Sequence, residues 1–143
     1  MKRRRVVAYI TRVRDGQTEL LVFEDPKHPH IGLQVPAGRL DADEDLETGL
    51  LREIAEETGL ERVRIVRELA GFEEHYPSRY EDHGFQLVLE SDAPDEWEHV
   101  VHGEGDDAGL VFRFRWVPVG AGLHLFGRAY PLLGRLAEPI DQG

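Results

Sequence analysis

The stretch Arg52-Glu53-Ile54-Ala55-Glu56-Glu57-Thr58-Gly59-Leu60 sets three carboxylates at i, i+3 and i+4 and follows them at once with a glycine. On a helix these spacings share one face, and like charges so placed repel by roughly 0.2–0.5 kcal/mol per pair. Ordinary surface helices alternate signs instead. The concentration has a use if a hard divalent cation sits among the carboxylates. Mg2+ takes oxygen ligands, keeps several waters and binds substrate phosphates. An acidic helix face is also an ordinary solvated face, and this stretch alone supports both readings.

The elements around it must present those acids. Leu46, Leu50, Leu51, Ile54 and Ala55 recur at three- and four-residue spacing, the apolar stripe of an amphipathic helix. Asp41 or Asp43 is placed to cap its N-terminus, and Gly59 stands at C′. Gly49 inside the helix costs roughly 1 kcal/mol against alanine, and either permits close backbone packing or is tolerated. Before the helix, residues 5–13 and 19–24 flank the turn signal Arg14-Asp15-Gly16-Gln17 and read as a hairpin. Residues 33–38 read as a short strand running into Pro36-Ala37-Gly38. After it, strands are expected at 62–73, 84–90, 97–102 and 110–118, and a second helix at 128–140 with Leu132, Leu133 and Leu136 as its apolar face. Strands, helix, strands, helix, without linker or repeat, predict one α+β domain over residues 1–143.

Composition narrows the function classes. The formal net charge of −11, with Lys and Arg scattered beyond residue 5, argues against duplex nucleic acid as a partner. An acidic chain can still act on anions if bound cations supply the positive charge. The absence of Cys excludes disulfides and thiolate metal ligands and fits a cytoplasmic protein. No apolar run is long enough to span a membrane. The start, Met1 to Arg12, lacks the long apolar region of a signal peptide and reads as a strand, with Lys2 to Arg5 as a solvated tail leading into an edge strand.

The wider spacing is more specific. Gly38, five residues, Glu44, seven residues, Arg52-Glu53-Ile54, one residue, Glu56-Glu57, one residue, Gly59-Leu60 matches the Nudix box, G-x5-E-x7-R-E-U-x-E-E-x-G-U with U a bulky aliphatic, at every specified position. The chain therefore resembles the Nudix hydrolases. The turn departs slightly from the common Pro-Gly-Gly, reading Pro36-Ala37-Gly38. The resemblance implies an α/β/α sandwich around a mixed sheet and a Mg2+- or Mn2+-dependent pyrophosphohydrolase, in which water attacks a nucleoside diphosphate linked to another group. It implies that Glu56 and Glu57 ligate the metal, that Glu53 ligates it or takes the proton from the attacking water, and that Arg52 orients the glutamates. It also implies that Gly38 and the Ala37 carbonyl approach the metal and that Glu44 supports the loop–helix junction. Gly38, Arg39 and Glu44 border the substrate in this reading.

Beyond the box the residues leave choices open. A further carboxylate is available from Glu96, Glu98, Glu104, Asp106 or Asp107, with Glu98 and Glu104 ranked first as metal ligands. Glu96 and Glu98 flank Trp97 and so share the strand face opposite it. The aromatic candidates for a base platform are Phe23, Phe72, Tyr76, Tyr80 and Trp97, of which Phe23 and Tyr76 are carried forward. His28, His30, His75, His83, His99 and His102 lack zinc spacing and read as surface or loop residues, although one near the pocket could meet phosphate. The small-molecule partner is a nucleotide. Tyr76 and Pro77 fall where the resemblance places a Tyr in dinucleoside polyphosphate hydrolases and a Pro in ADP-ribose pyrophosphatases, and carrying both does not choose between them. The chain is shorter than ADP-ribose enzymes with their added N-terminal region, so the lean is to nucleoside triphosphates or dinucleoside polyphosphates. ADP-ribose or ADP-sugar hydrolysis and a non-catalytic nucleotide sensor are the alternatives. A homodimer is left open.

Overall fold

The run Val6-Val7-Ala8-Tyr9-Ile10 is apolar on both of its faces, which suits a strand covered from both sides. In the computed structural model of this chain, which describes residues 3–69, 80–103 and 108–120 with Leu123, Leu125 and Leu136, that run is the middle of β1 (Arg3–Arg14). β1 is central, not an edge. It pairs in parallel with β5 (Tyr80–Leu89) on one side and antiparallel with β2 (Gln17–Glu24) on the other. The mixed sheet runs β4 (Val63–Glu68), β5, β1, β2, β7 (Val111–Pro118), β6 (Glu96–Val100), with β3 (Ala37–Arg39) off this path against β1.

β1 divides one of its edges between two partners. Thr11 to Arg14 pair with β2, whereas Arg5, Val6 and Val7 pair with Arg39, Gly38 and Ala37 of β3. The segment before β3 is held on both sides as well: Phe23 and Gln34 exchange backbone bonds of 2.9 Å, and the Ala8 N–H donates to the Pro36 carbonyl at 2.8 Å. The Pro-Ala-Gly turn is therefore wedged between β1 and β2, beside the helix.

That helix, α1, spans Leu46–Thr58. Its cap is Asp45, whose carboxylate accepts from the Thr48 N–H at 3.2 Å, and not Asp41 or Asp43. The reason lies far away in sequence. Arg4 Nη2 donates to the carbonyls of Asp41, Ala42 and Glu44 at 3.2, 3.3 and 2.6 Å, so residues 41–44 are held as a turn before the helix begins. The inward face also differs from the expected stripe. Leu50 and Ile54 are fully buried, but Leu51 is 42% exposed and Ala55 is exposed, while Glu57 and Thr58 turn inward. Gly49 permits close packing: a Cβ there would run into the Leu40 side chain.

Both sheet faces are covered. Val6, Ala8, Ile10 and Phe85 pack with Leu50 and Ile54 of α1, and Val7, Tyr9 and Val22 pack on the other face with Leu69, Leu125 and Leu136. β4 ends at Glu68, short of the expected residue 73, with a register shift between Ile65 and Arg67. Residues 70–73 and the helix expected at 128–140, Leu136 excepted, lie outside the described residues.

Candidate active site

Glycine 59 ends α1 in the left-handed region, at φ 81°, where an L side chain is strained, and its N–H donates to the Ala55 carbonyl. The helix therefore stops one residue after its acids and presents them at the mouth of a cleft. Arg52 gathers those acids. Its Nε and Nη2 grip the Glu44 carboxylate at 2.7 Å each, Nη1 reaches Glu53 Oε1 at 3.0 Å and Glu56 Oε2 at 3.1 Å, and Nη2 also meets the Arg39 carbonyl at 3.3 Å. Glu57 is directed elsewhere: it is 4% exposed and accepts from the Ala37 N–H at 3.2 Å. One guanidinium thus links loop, strand and helix, and a buried carboxylate pins the helix end to β3.

These contacts move the carboxyls in opposite directions. The bidentate hydrogen bonds from Arg52 hold Glu44 below the ordinary glutamate range, and the same pairing keeps the Arg52 guanidinium protonated. Burial pushes Glu53 up, with Arg52 offsetting part of the effect and the nearby Glu56 charge adding to it. Glu53 meets Arg52 through a single bond and lies tight over Gly38, so desolvation outweighs its ion pair.

Two bare backbone positions border the carboxylates. A Cβ on Gly38 would lie 2.6 Å from Glu53 Oε1 and closer still to Oε2, and one on Gly103 would lie 2.6 Å from Glu56 Oε2. Only glycine leaves these oxygens room. Among the described residues no three Asp, Glu or His side chains form a ready-made metal-ligand group, because the Arg52 guanidinium stands between Glu53 and Glu56. The donor chemistry nevertheless suits a hard cation, since Glu53, Glu56 and Glu57 offer oxygen alone and crowd one helix end against glycine backbone.

The cleft, of about 1300 Å³, is lined by Ala37, Gly38, Arg39, Arg52, Glu53, Glu56 and Glu57, and also by Arg3, Arg4, Arg5, Glu81, His102 and Gly103. The N-terminal arginines are strand residues of this wall rather than a solvated tail. Arg5 forks onto the buried Asp82 with two bonds of 3.0 Å, Arg4 is taken up by the loop carbonyls, and Arg3 is exposed. Three consecutive arginines at the head of a strand were the available signal for this wall.

The remaining candidates are placed as follows. Phe23 touches the cleft but is 3% exposed and stacks on Phe112 at 4.2 Å, so it serves as floor and core rather than as an open platform. Trp97 stacks on Phe114 at 5.2 Å. Glu98 projects from the opposite, solvent side of β6, where Arg113 pairs with it at 3.3 Å, and it does not line the cleft. His28 pairs with Asp25 at 2.8 Å. Glu104, Asp106, Asp107, Phe72, His75, Tyr76 and the side chain of Tyr80 lie outside the described residues.

A carboxylate-bearing helix knotted through one arginine to a glycine strand, beside a wall of arginines, suits a hydrolase of phosphoric anhydride bonds. The chain belongs to the Nudix family: the model of the NUDIX domain matches residues 2–132. Among solved structures, a binary complex of Ap4A hydrolase from C. elegans is 19% identical, with 82% of this chain and 80% of that one covered and a TM-score of 0.57. A second structure of C. elegans Ap4A hydrolase is 21% identical, covering 83% and 82%, with a TM-score of 0.54. The NUDIX domain of Shewanella oneidensis NrtR, complexed with ADP ribose, is 20% identical over 82% of this chain and 73% of that one, at a TM-score of 0.51. At these identities the likeness is one of fold. No curated protein matches the chain in sequence.

Proposed function

We propose that this protein is a divalent-metal-dependent pyrophosphohydrolase that cleaves a nucleoside diphosphate linked to a second group, and that its substrates are nucleoside triphosphates or dinucleoside polyphosphates. The observation that carries the reading is the knot of Arg52 with Glu44, Glu53 and Glu56, set beside Glu57 against Ala37 and Gly38. Glu53, Glu56 and Glu57, with the Ala37 carbonyl, would hold Mg2+ or Mn2+. When bound, the cation supplies Lewis-acid neutralisation of the phosphoryl oxygens.

The rest is the work of the chain. Glu53 Oε1 is engaged by Arg52, which leaves Oε2, over Gly38, to accept the proton of the attacking water. Burial raises the basicity of that carboxyl and suits it to the task. Arg52 keeps Glu53 and Glu56 in register, and the Ala37 N–H keeps Glu57. Arg3 and Arg39, both exposed on the facing rim, suit phosphates beyond the bond that is cut, which favours polyphosphate substrates.

The test is a panel of NTPs and dNTPs, dinucleoside polyphosphates, ADP-sugars and capped RNA, each with Mg2+ and with Mn2+, products being resolved by ion exchange. Turnover of a triphosphate or dinucleoside polyphosphate, lost in Glu53→Gln, is expected. Faster turnover of ADP-sugars would move the substrate class. Tight nucleotide binding without any product would turn the reading towards a sensor.

A further inference from the structure

The last four carbonyls of a helix have no partner within it. In α1 these belong to Ala55, Glu56, Glu57 and Thr58, the turn that carries two of the acids. The Gly59 N–H takes the Ala55 carbonyl at 3.0 Å. Two others are taken by side chains of β6. Trp97 Nε1 donates to the Thr58 carbonyl at 3.0 Å, and His99 Nε2 bonds the Glu56 carbonyl at 3.0 Å. A carbonyl only accepts, so this His99 nitrogen carries the proton. The His102 N–H donates to the same Glu56 carbonyl at 3.0 Å.

The donors are themselves held. Trp97 stacks on Phe114 with an interplanar angle of 16°, and Phe114 is fully buried. His99 packs edge-on to His102 at 5.4 Å, and a Cβ on Gly59 would press against its ring, 3.0 Å from Nδ1. Gly59 therefore has a second reason to be glycine, since it makes room for the imidazole that reaches Glu56. Beyond the strand, the chain turns at Gly103 directly over the Glu56 carboxylate. β6 thus grips the backbone of the catalytic turn, and the residues that follow it border the side chain.

We propose that Trp97 and His99 are positioning residues, whose N–H groups cap the last turn of α1 and so fix the Glu56 and Glu57 carboxylates between Ala37 and Gly103. The proposal deepens the functional reading above and rests on it for its kinetic part. Neither side chain touches the reacting atoms. Each acts through a main-chain carbonyl of the helix that bears them.

The test uses the full chain with Trp97→Phe, His99→Phe and His99→Gln. Phenylalanine keeps the ring packing and removes the donor, and the Gln amide restores a donor near the position of Nε2. Three quantities are read: hydrogen exchange of the Ala55–Gly59 amides without metal, affinity for Mn2+ alone by electron paramagnetic resonance, and kcat and KM for the nucleotide turned over fastest in the panel. The phenylalanine variants should lose protection at that turn about 10-fold or more, with Mn2+ affinity and kcat falling 10- to 100-fold and KM changing less than about 3-fold. His99→Gln should recover most of each. Unchanged exchange would overturn the proposal, as would lost protection with intact Mn2+ affinity and kcat, or a Gln variant as impaired as the Phe variant. If the wild type turns over no nucleotide, the functional reading fails, and exchange with Mn2+ affinity still decides the capping role.

Discussion

Gly38→Ala is the sharpest probe of the site. The new methyl would lie 2.6 Å from Glu53 Oε1 and nearer to Oε2, whereas ordinary contact begins near 3.4 Å. The three nearest atoms all belong to the Glu53 carboxylate. Gly38 is paired in β3 with Val6, and its backbone does not need the left-handed region. The strain falls first on that carboxylate, which must move by more than about 1 Å against its bond to Arg52. A side chain driven off its rotamer costs about 0.5–1.5 kcal/mol, so the fold survives. A misplacement of about 1 Å lowers turnover roughly 100-fold, or about 2.7 kcal/mol in the barrier. The assay measures kcat and KM for the best panel nucleotide with Mg2+, alongside urea unfolding, with Gly120→Ala as control because a Cβ there meets nothing within 4 Å. A Gly38→Ala enzyme within about threefold of wild type would refute the reasoning. So would a loss of stability above about 3 kcal/mol, which would mean that the backbone and not Glu53 bears the clash.

Other perturbations follow from the same geometry. Glu53 has a raised pKa in the fold, so its contribution to stability is full below the ordinary glutamate value of about 4.3 and is lost as pH rises through the higher folded value. Metal-free Glu53→Gln should therefore match or exceed wild type in Tm at pH 7–8, with turnover reduced about 10²–10⁴-fold, and a lower Tm at that pH would contradict the burial argument. Glu44 is lowered, so its pairing with Arg52 contributes above the ordinary value and is lost as pH falls through the lower folded one. Glu44→Gln should destabilise by about 1 kcal/mol at pH 7 after solvent screening, and its Tm should converge on that of wild type as pH falls through the lowered folded value. Ile54, fully buried against β1, should cost about 2–5 kcal/mol as alanine in urea unfolding.

What the sequence determined by itself is local or periodic. The spacing from Arg52 to Gly59 sets three acids on one helical face and ends the helix after them, since helical geometry depends on neighbours three and four residues apart. The hairpin of β1 and β2 was legible through Asp15-Gly16, both at positive φ, and the Trp97 face of β6 through strand alternation. The helix cap was not, because Arg4 reaches across from β1 to hold residues 41–44, and no window around Asp45 contains Arg4. Nor was the burial of Glu57 and the exposure of Leu51 legible, because the side of a helix that faces a sheet is set by the sheet, and here β3 supplies the Ala37 N–H that receives Glu57. Phe23 was a plausible platform in a list of aromatics and became core once Phe112 and Phe114 were placed beside it. Trp97 and His99 carried no signal of their work, since the carbonyls they reach belong to a helix about forty residues earlier in the chain. Contacts of that separation are chosen by how strands order themselves in the sheet. They decide how the acids are held, and the local sequence decides only that they exist.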